Sequence, residues 1–410
     1  MKFPIKHMAA ASLMSLAAAA QAQALKAEVI HWWTSGGESA AMREFANAFK
    51  AAGGTWVDNA VAGAEPARAA AVNRIVGGNP STAAQFNISK QFHDLIDEGL
   101  LNNMDAVAQK EGWDKLFPAP IINSVKVKGH YYAVPVNIHM PGWFWYSKSA
   151  FDKAGIKAEP QNVDELFAAL DKLKAAGVVP LALGGQPWQE KITFDTLLAN
   201  VGGKDLFMKV YRDGDIKAIN SAEFKRVLTT FKRLRDYVDA GSAGRNWNDA
   251  TSMVIAGKAG VQIMGDWAKG EFNAANQTAG KEFGCFPGLG AKSPYIISGD
   301  VFVFPKTSDA NAVKAQQTLA ALMTSPQTQV AFNNKKGSIP IRTDVDASKM
   351  DVCAQAGIRI MKDPSRHLPN AEMLVTPDVN GALQDVITKY WNNTQSVDDV
   401  VKAFASAVKG

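Results

Sequence analysis

Short apolar runs alternate with amphipathic stretches along almost the whole chain. Residues 29–33, 131–136, 143–146, 178–183, 261–264 and 301–304 each read as a strand. The helix after the first run carries Met42, Phe45 and Phe49 on one face. A second helix is predicted over 163–176. Asn162 fits its N-cap, Glu165 its third position and Gly177 the residue just past its end, and its apolar stripe is Leu166, Phe167, Leu170 and Leu173. A third is predicted over 222–240, with Phe224, Val227, Leu228, Phe231, Leu234 and Val238 at helical spacing. Lys225, Lys232, Arg233 and Arg235 fall mostly off that stripe, and a solvated face explains them more simply than a membrane or an acidic partner. Strands alternating with helices predict an α/β fold. Neither an internal repeat nor a long linker interrupts the pattern.

The first residues break it. Lys2, Lys6 and His7 precede an apolar run over 8–20, followed by two overlapping Ala-Gln-Ala cleavage signals ending at Ala22 and Ala24. This is the layout of an export leader, expected over 1–24, and either signal satisfies it. No cysteine follows the apolar run, which argues against a lipid anchor. No later run reaches the roughly 18 apolar residues of a spanning helix. The expected location is a bacterial periplasm, with the leader removed.

About 386 residues then remain, more than one core usually serves, so two lobes are expected. The formal charge of +5 falls to +3 without Lys2 and Lys6, too mild to argue for nucleic acid. Cys285 and Cys353 can pair in an oxidising compartment or stay as buried thiols, and spacing alone does not decide. The stretches 133–137, 298–301 and 337–340 read as crossings between lobes, which would make a multi-strand hinge. The expected division is 25–135 plus 300–340 for the N-terminal lobe and 136–299 plus 341–410 for the C-terminal lobe.

The chemistry concentrates in Trp32-Trp33-Thr34-Ser35-Gly36-Gly37-Glu38, where a first strand meets a first helix. In an open α/β sheet ligands bind at such a junction. Indole faces stack on pyranose C–H faces, and carboxylates accept from sugar hydroxyls. With Gly265-Asp266-Trp267-Ala268-Lys269-Gly270, Val134-Pro135-Val136-Asn137, Ser298-Gly299-Asp300 and Lys336-Gly337-Ser338-Ile339-Pro340, this motif resembles the periplasmic sugar-binding proteins of ABC importers. More narrowly it resembles the glucose/mannose-binding proteins of pseudomonads and Thermus. The matching segments, 30–38, 130–148, 246–272, 298–305 and 335–342, spread over essentially the whole chain after residue 24.

The resemblance implies a two-lobe, type II, maltodextrin-binding-like fold that captures a monosaccharide, glucose first, without chemistry, cofactor or metal. It implies a monomer that delivers to an inner-membrane ABC permease, with a chemoreceptor as a further partner. It implies ligand contacts from Trp32, Trp33, Glu38, Lys90, Trp267, Asp300, Lys336 and His367, with Lys335 as the neighbouring register. Gln85, Asn137 and His139 rank second. Each has a structural alternative. One of two consecutive indoles faces a core, Glu38 serves a capping box with Ser35, Trp267 packs in a core, and Asp300 forms a turn. An exported glycosidase is the rival function, with Glu38 and Asp300 as its carboxylate pair. No GxSxG, HExxH, GxxxxGK[ST] or GxGxxG motif supports an enzyme, and the six histidines form no cluster at metal-ligand spacing.

Overall fold

The computed structural model describes residues 24–409, so the expected leader lies, but for its last residue, outside the described residues. Two principal sheets organise the chain. The first runs in the order Thr55–Ala60, Lys26–His31, Ala83–Asn87, Asp300–Val303, Ala133–Pro135. Lys26–His31 is parallel to both of its neighbours, whereas Asp300–Val303 is antiparallel to the strands on either side. Pro135 cannot donate to a ladder, and it sits on the edge strand where that is tolerated.

The second sheet runs Phe283–Phe286, Trp143–Ser147, Ala259–Met264, Val179–Ala182. Alternation along these strands divides two cores. Phe144, Leu181, Val261 and Ile263 face a cluster closed by helices Pro187–Leu197, Ala222–Leu234, Pro377–Asn392 and Val397–Ala407. Trp143, Trp145, Ala182 and Met264 face the other way, into a cluster that continues through Val29, Phe86, Val301 and Phe302 of the first sheet.

Three extended segments link the sheets side by side. Ile138 and Ile339 exchange backbone hydrogen bonds of 2.9 and 3.2 Å, and His139 and Ser298 exchange two of 2.8 Å. The chain therefore crosses at 137–139, 298–299 and 338–339. We propose the lobes as 25–135 with 300–340 and 136–299 with 341–410, where Thr343, early in the last stretch, still donates to the Leu116 carbonyl at 2.9 Å and the Cys285–Cys353 disulfide ties the later part to the second sheet.

Local signals account for much of this. Asn162 Oδ1 accepts from Glu165 N–H at 2.9 Å, helix Val163–Ala175 follows, and Gly177 takes φ +68°. Helix Gly36–Ala51 buries Met42, Phe45 and Phe49 behind a Ser35–Glu38 capping box.

Tertiary contacts altered other expectations. The run 131–136 splits. Tyr131 belongs to a short hairpin with Lys126–Val127, and only Ala133–Pro135 joins the sheet. The helix expected over 222–240 stops at Leu234 and tightens into Arg235–Tyr237. Val238 is then extended beside Leu181, and Tyr237 Oη donates to Asp171 at 2.7 Å. The basic face is spent on the chain itself. Lys232 Nζ donates to the carbonyls of Tyr390, Trp391 and Asn393 at 2.8, 3.0 and 2.6 Å, capping helix Pro377–Asn392. Arg233 lies 3.8 Å over the Phe167 ring.

Cys285 and Cys353 form a disulfide that joins strand Phe283–Phe286 to helix Val352–Met361, with Cα atoms 6.1 Å apart. Among the described residues no helix is long and apolar enough to cross a membrane.

Candidate functional site

The strand Lys26–His31 delivers two indoles to the end of the first sheet, and alternation sends them apart. Trp33 is only 1% exposed, edge-on to Phe302 and tilted against Phe332 at centroid distances of 5.7 and 5.3 Å. Trp32 stays half-buried, its backbone N–H held by Gln85 Oε1 at 3.1 Å. Of the expected stacking pair, Trp33 thus takes a core position and Trp32 stays half-buried at its edge.

Two residues into the next helix, Glu38 does two things at once. Oε2 accepts from the Ser35 backbone N–H at 3.5 Å, closing the capping box, and from the Ser35 hydroxyl at 3.0 Å. Oε1 faces Lys336 Nζ at 3.4 Å. Lys336 is the last residue of helix Pro326–Lys336, ended by Gly337 at φ +92°, and is itself buried. Its Nζ lies 5.3 Å from the Trp33 ring and 5.7 Å from the Trp267 ring. Burial pushes the Glu38 carboxyl above its ordinary range, and Lys336 and Ser35 only partly reverse this.

Trp267 follows strand Ala259–Met264 and is half-buried. Its indole lies flush on the backbone of Gly265, where a Cβ would stand 2.1 Å from a ring atom. Its edge meets His139 at 5.1 Å, and Trp188, also half-buried, stands 6.3 Å away.

Asp300 opens its strand at the crossing and is 4% exposed. It gathers partners from two segments. Asn137 Nδ2 donates to Oδ2 at 2.8 Å and Gln85 Nε2 to Oδ1 at 3.1 Å, while His139 Nε2 lies 2.9 Å from Oδ2. Burial alone would raise this carboxyl, but His139, Lys336 and Asn137 hold it below the usual carboxylate range. The other ring nitrogen of His139, Nδ1, bonds Asp266.

The structure thus brings Trp32, Glu38, Trp267, Asp300 and Lys336 to one place, with Trp33 behind them and Gln85, Asn137 and His139 between them. Two expected residues stand apart. Lys90 is exposed in the loop after Ala83–Asn87, and its Nζ donates to the Leu374 carbonyl at 3.2 Å. His367 opens strand His367–Pro369 beside Tyr295, its Nε2 buried without a partner, and its neighbouring charges are Lys204 and Asp363. Asp266 and Trp188 were missed. Asp266 lies in the Gly265-Asp266-Trp267 motif just past a strand end, the position that had already singled out Trp32.

Chemically the cluster offers three buried carboxylates (Glu38, Asp266 and Asp300), an ammonium, an imidazole, amides and three half-buried indoles. That set suits a neutral ligand rich in hydroxyls. Among the described residues no group of His, Cys, Asp and Glu is arranged to hold a metal ion. A separate cavity of about 510 Å³, lined by Asn200, Lys204, Lys292, Ser293 and Arg366, contains none of these side chains.

Residues 33–330 match the family model for bacterial extracellular solute-binding proteins. The chain belongs to this family. A "probable sugar-binding periplasmic protein" of Brucella suis is 41% identical over 409 residues, covering 98% of this chain and 96% of the relative. Among solved structures, a chitin oligosaccharide binding protein superposes with a TM-score of 0.80 at 18% identity, over 94% of this chain and 98% of that one. A bacterial solute receptor described as exclusive for β-D-galactopyranose gives 0.78 at 20% identity, over 94% and 98%. At such identities these structures speak for the shared two-lobe, type II fold. In this solute-binding protein, the cluster occupies the junction of the two sheets beside the crossings.

Proposed function

We propose that this solute-binding protein captures a sugar between its lobes in the periplasm and delivers it to an ABC permease, with glucose the favoured ligand. The observation that carries the reading is the cluster at the crossings. Glu38, Asp300 and Lys336 provide charge-assisted hydrogen bonds, and Trp32 and Trp267 offer flat apolar faces from the ends of the two sheets. The probable sugar-binding relative supports the ligand class. The bulk of the indoles favours a monosaccharide over a longer chain.

No turnover belongs to this reading, because Glu38 faces Lys336 and Asp300 accepts from Asn137 and Gln85, so neither carboxylate stands without a partner. Titration calorimetry of the chain without residues 1–24 against glucose, galactose, mannose, xylose and maltose tests it. Micromolar or tighter binding to one monosaccharide is expected. Silence with all five sugars, or hydrolysis of aryl glycosides, would sink it.

A further inference from the structure

His139 sits on the middle crossing, 4% exposed, and both ring nitrogens face carboxylate oxygens. Nδ1 bonds Asp266, which follows a strand of the second sheet, and Nε2 lies 2.9 Å from Asp300 Oδ2, which opens a strand of the first. Asn137 Nδ2 also stands 3.1 Å from Nε2, and it donates to the same Asp300 Oδ2 at 2.8 Å, so amide and ring converge on one carboxylate oxygen. A ring nitrogen with a free lone pair would repel a carboxylate at that distance, so two carboxylates call for two N–H groups. The backbone reinforces the split. Asp266 stays with the 139–140 side, its carboxylate accepting from Met140 N–H at 3.3 Å. Asp300 stays with the 136–137 side, its N–H donating to Asn137 Oδ1 at 2.7 Å. Among the described residues, the imidazole bonds both carboxylates.

We propose that His139 is a positioning residue: as an imidazolium it holds Asp300 in its ligand-accepting orientation and ties that orientation, through Asp266, to the relation of the two sheets. This rests on the sugar-binding reading for its ligand but not for its proton. The groups facing the ring are Asp266 from the turn after Ala259–Met264, Asp300 from the first sheet, and Lys336 from the end of its helix. Beyond them, Tyr295 faces Asp266 and Glu38 faces Lys336. Burial lowers the affinity of the ring for its second proton, as does Lys336, and the two carboxylates outweigh both, so the titration lies above that of an ordinary histidine. A group raised in this way contributes below its ordinary titration and is lost as pH rises through the raised one.

Two measurements test the assignment. In the free protein, nitrogen-resolved NMR of the histidine rings, assigned by loss of one signal in His139→Asn, should show His139 with both nitrogens protonated at neutral pH. A neutral ring there overturns the proposal. In calorimetry from about pH 6 to about pH 9, wild-type affinity should fall with rising pH by up to about tenfold per unit, the slope of one proton. His139→Asn should bind at least about tenfold more weakly at the acid end, with a flat profile. Asp266→Asn, which leaves Asp300 and the ring in place, should move the wild-type midpoint to lower pH. An unmoved midpoint, or a His139→Asn profile equal to wild type, overturns the proposal. Should no sugar bind while the ring is doubly protonated, the imidazolium assignment stands and the ligand reading falls.

Discussion

Glu38 shows how one side chain carries a structural and a functional duty together. Its capping-box bond starts the first helix, and its second oxygen neutralises a lysine that is 2% exposed. Removing one partner of a buried pair leaves the other charge uncompensated, so Glu38→Ala should destabilise the fold by about 3 kcal/mol in denaturant titration. The same change should abolish micromolar sugar binding. Asp300 makes the opposite contribution to acid stability. Its folded-state titration is depressed, so the stability it adds is complete above the unfolded value of about 4 and is lost as pH falls through the folded one. Thermal unfolding of Asp300→Asn should therefore show a shallower acid limb than wild type. Gly265 matters because it lacks a side chain, since its backbone is the floor on which the Trp267 indole lies. Gly265→Ala should lift the ring, weaken binding by about tenfold, equivalent to about 1.4 kcal/mol, and shift tryptophan emission. Unchanged affinity would show that Trp267 is not a wall of the site.

At the scale of elements, helices here are held by charges that sequence periodicity places on their outer faces. Lys232 caps three carbonyls at the end of a neighbouring helix, and that neighbour could not be named from the stripe of Phe224, Val227, Leu228 and Phe231. The helix over 163–175 was legible because its signals are local, an Asn at the N-cap and a Gly just beyond the end. Strand Ala83–Asn87 was not, because Ala, Gln and Asn are weak strand formers that only sheet pairing recruits, and Phe283–Phe286 was not, because four residues broken by Gly284 give too short a pattern. The disulfide pins the second of these strands to helix Val352–Met361 across 68 residues. Reducing it, or Cys285→Ser with Cys353→Ser, should cost about 4 kcal/mol of stability by loop closure. The measurement is a guanidinium midpoint with and without reductant.

Over the whole molecule, the helices that flank the two sheets approach one another at bare backbone. A Cβ on Gly37 would stand 2.5 Å from the carbonyl carbon of Gly270, and one on Gly270 would stand 2.7 Å from the Lys335 carbonyl oxygen. Gly37 N–H, at the start of the first helix, donates to Glu271 Oε1 at 2.8 Å, where the helix dipole favours a carboxylate. On the opposite side of the first sheet's strand ends, Asn87 Nδ2 donates to Glu372 Oε2 at 3.1 Å and Lys90 Nζ to Leu374. Gly270→Ala should wedge this contact. We expect a larger radius of gyration in solution scattering and an affinity lower by about tenfold, since binding is reduced by whatever fraction of molecules leaves the competent arrangement. An unchanged radius would show that the contact tolerates a methyl group.

The sequence by itself determined the alternation of strands and helices, the need for two cores, the caps, and the residue types that gather at strand ends. These depend on spacings of two to four residues, which lie within one element. The resemblance to sugar-binding proteins pointed to Glu38, Trp267, Asp300 and Lys336, and the structure sets these four near the crossings. Only the tertiary structure decided which of two adjacent indoles turns inward, because period-two alternation separates faces without saying which one a core covers. It alone set Lys90 against Leu374 and His367 beside Tyr295, and it alone brought Gln85, His139, Asp266 and Asp300 together. Those four are all at least 34 residues apart, and their meeting depends on passages of the chain between two sheets, which no local pattern specifies.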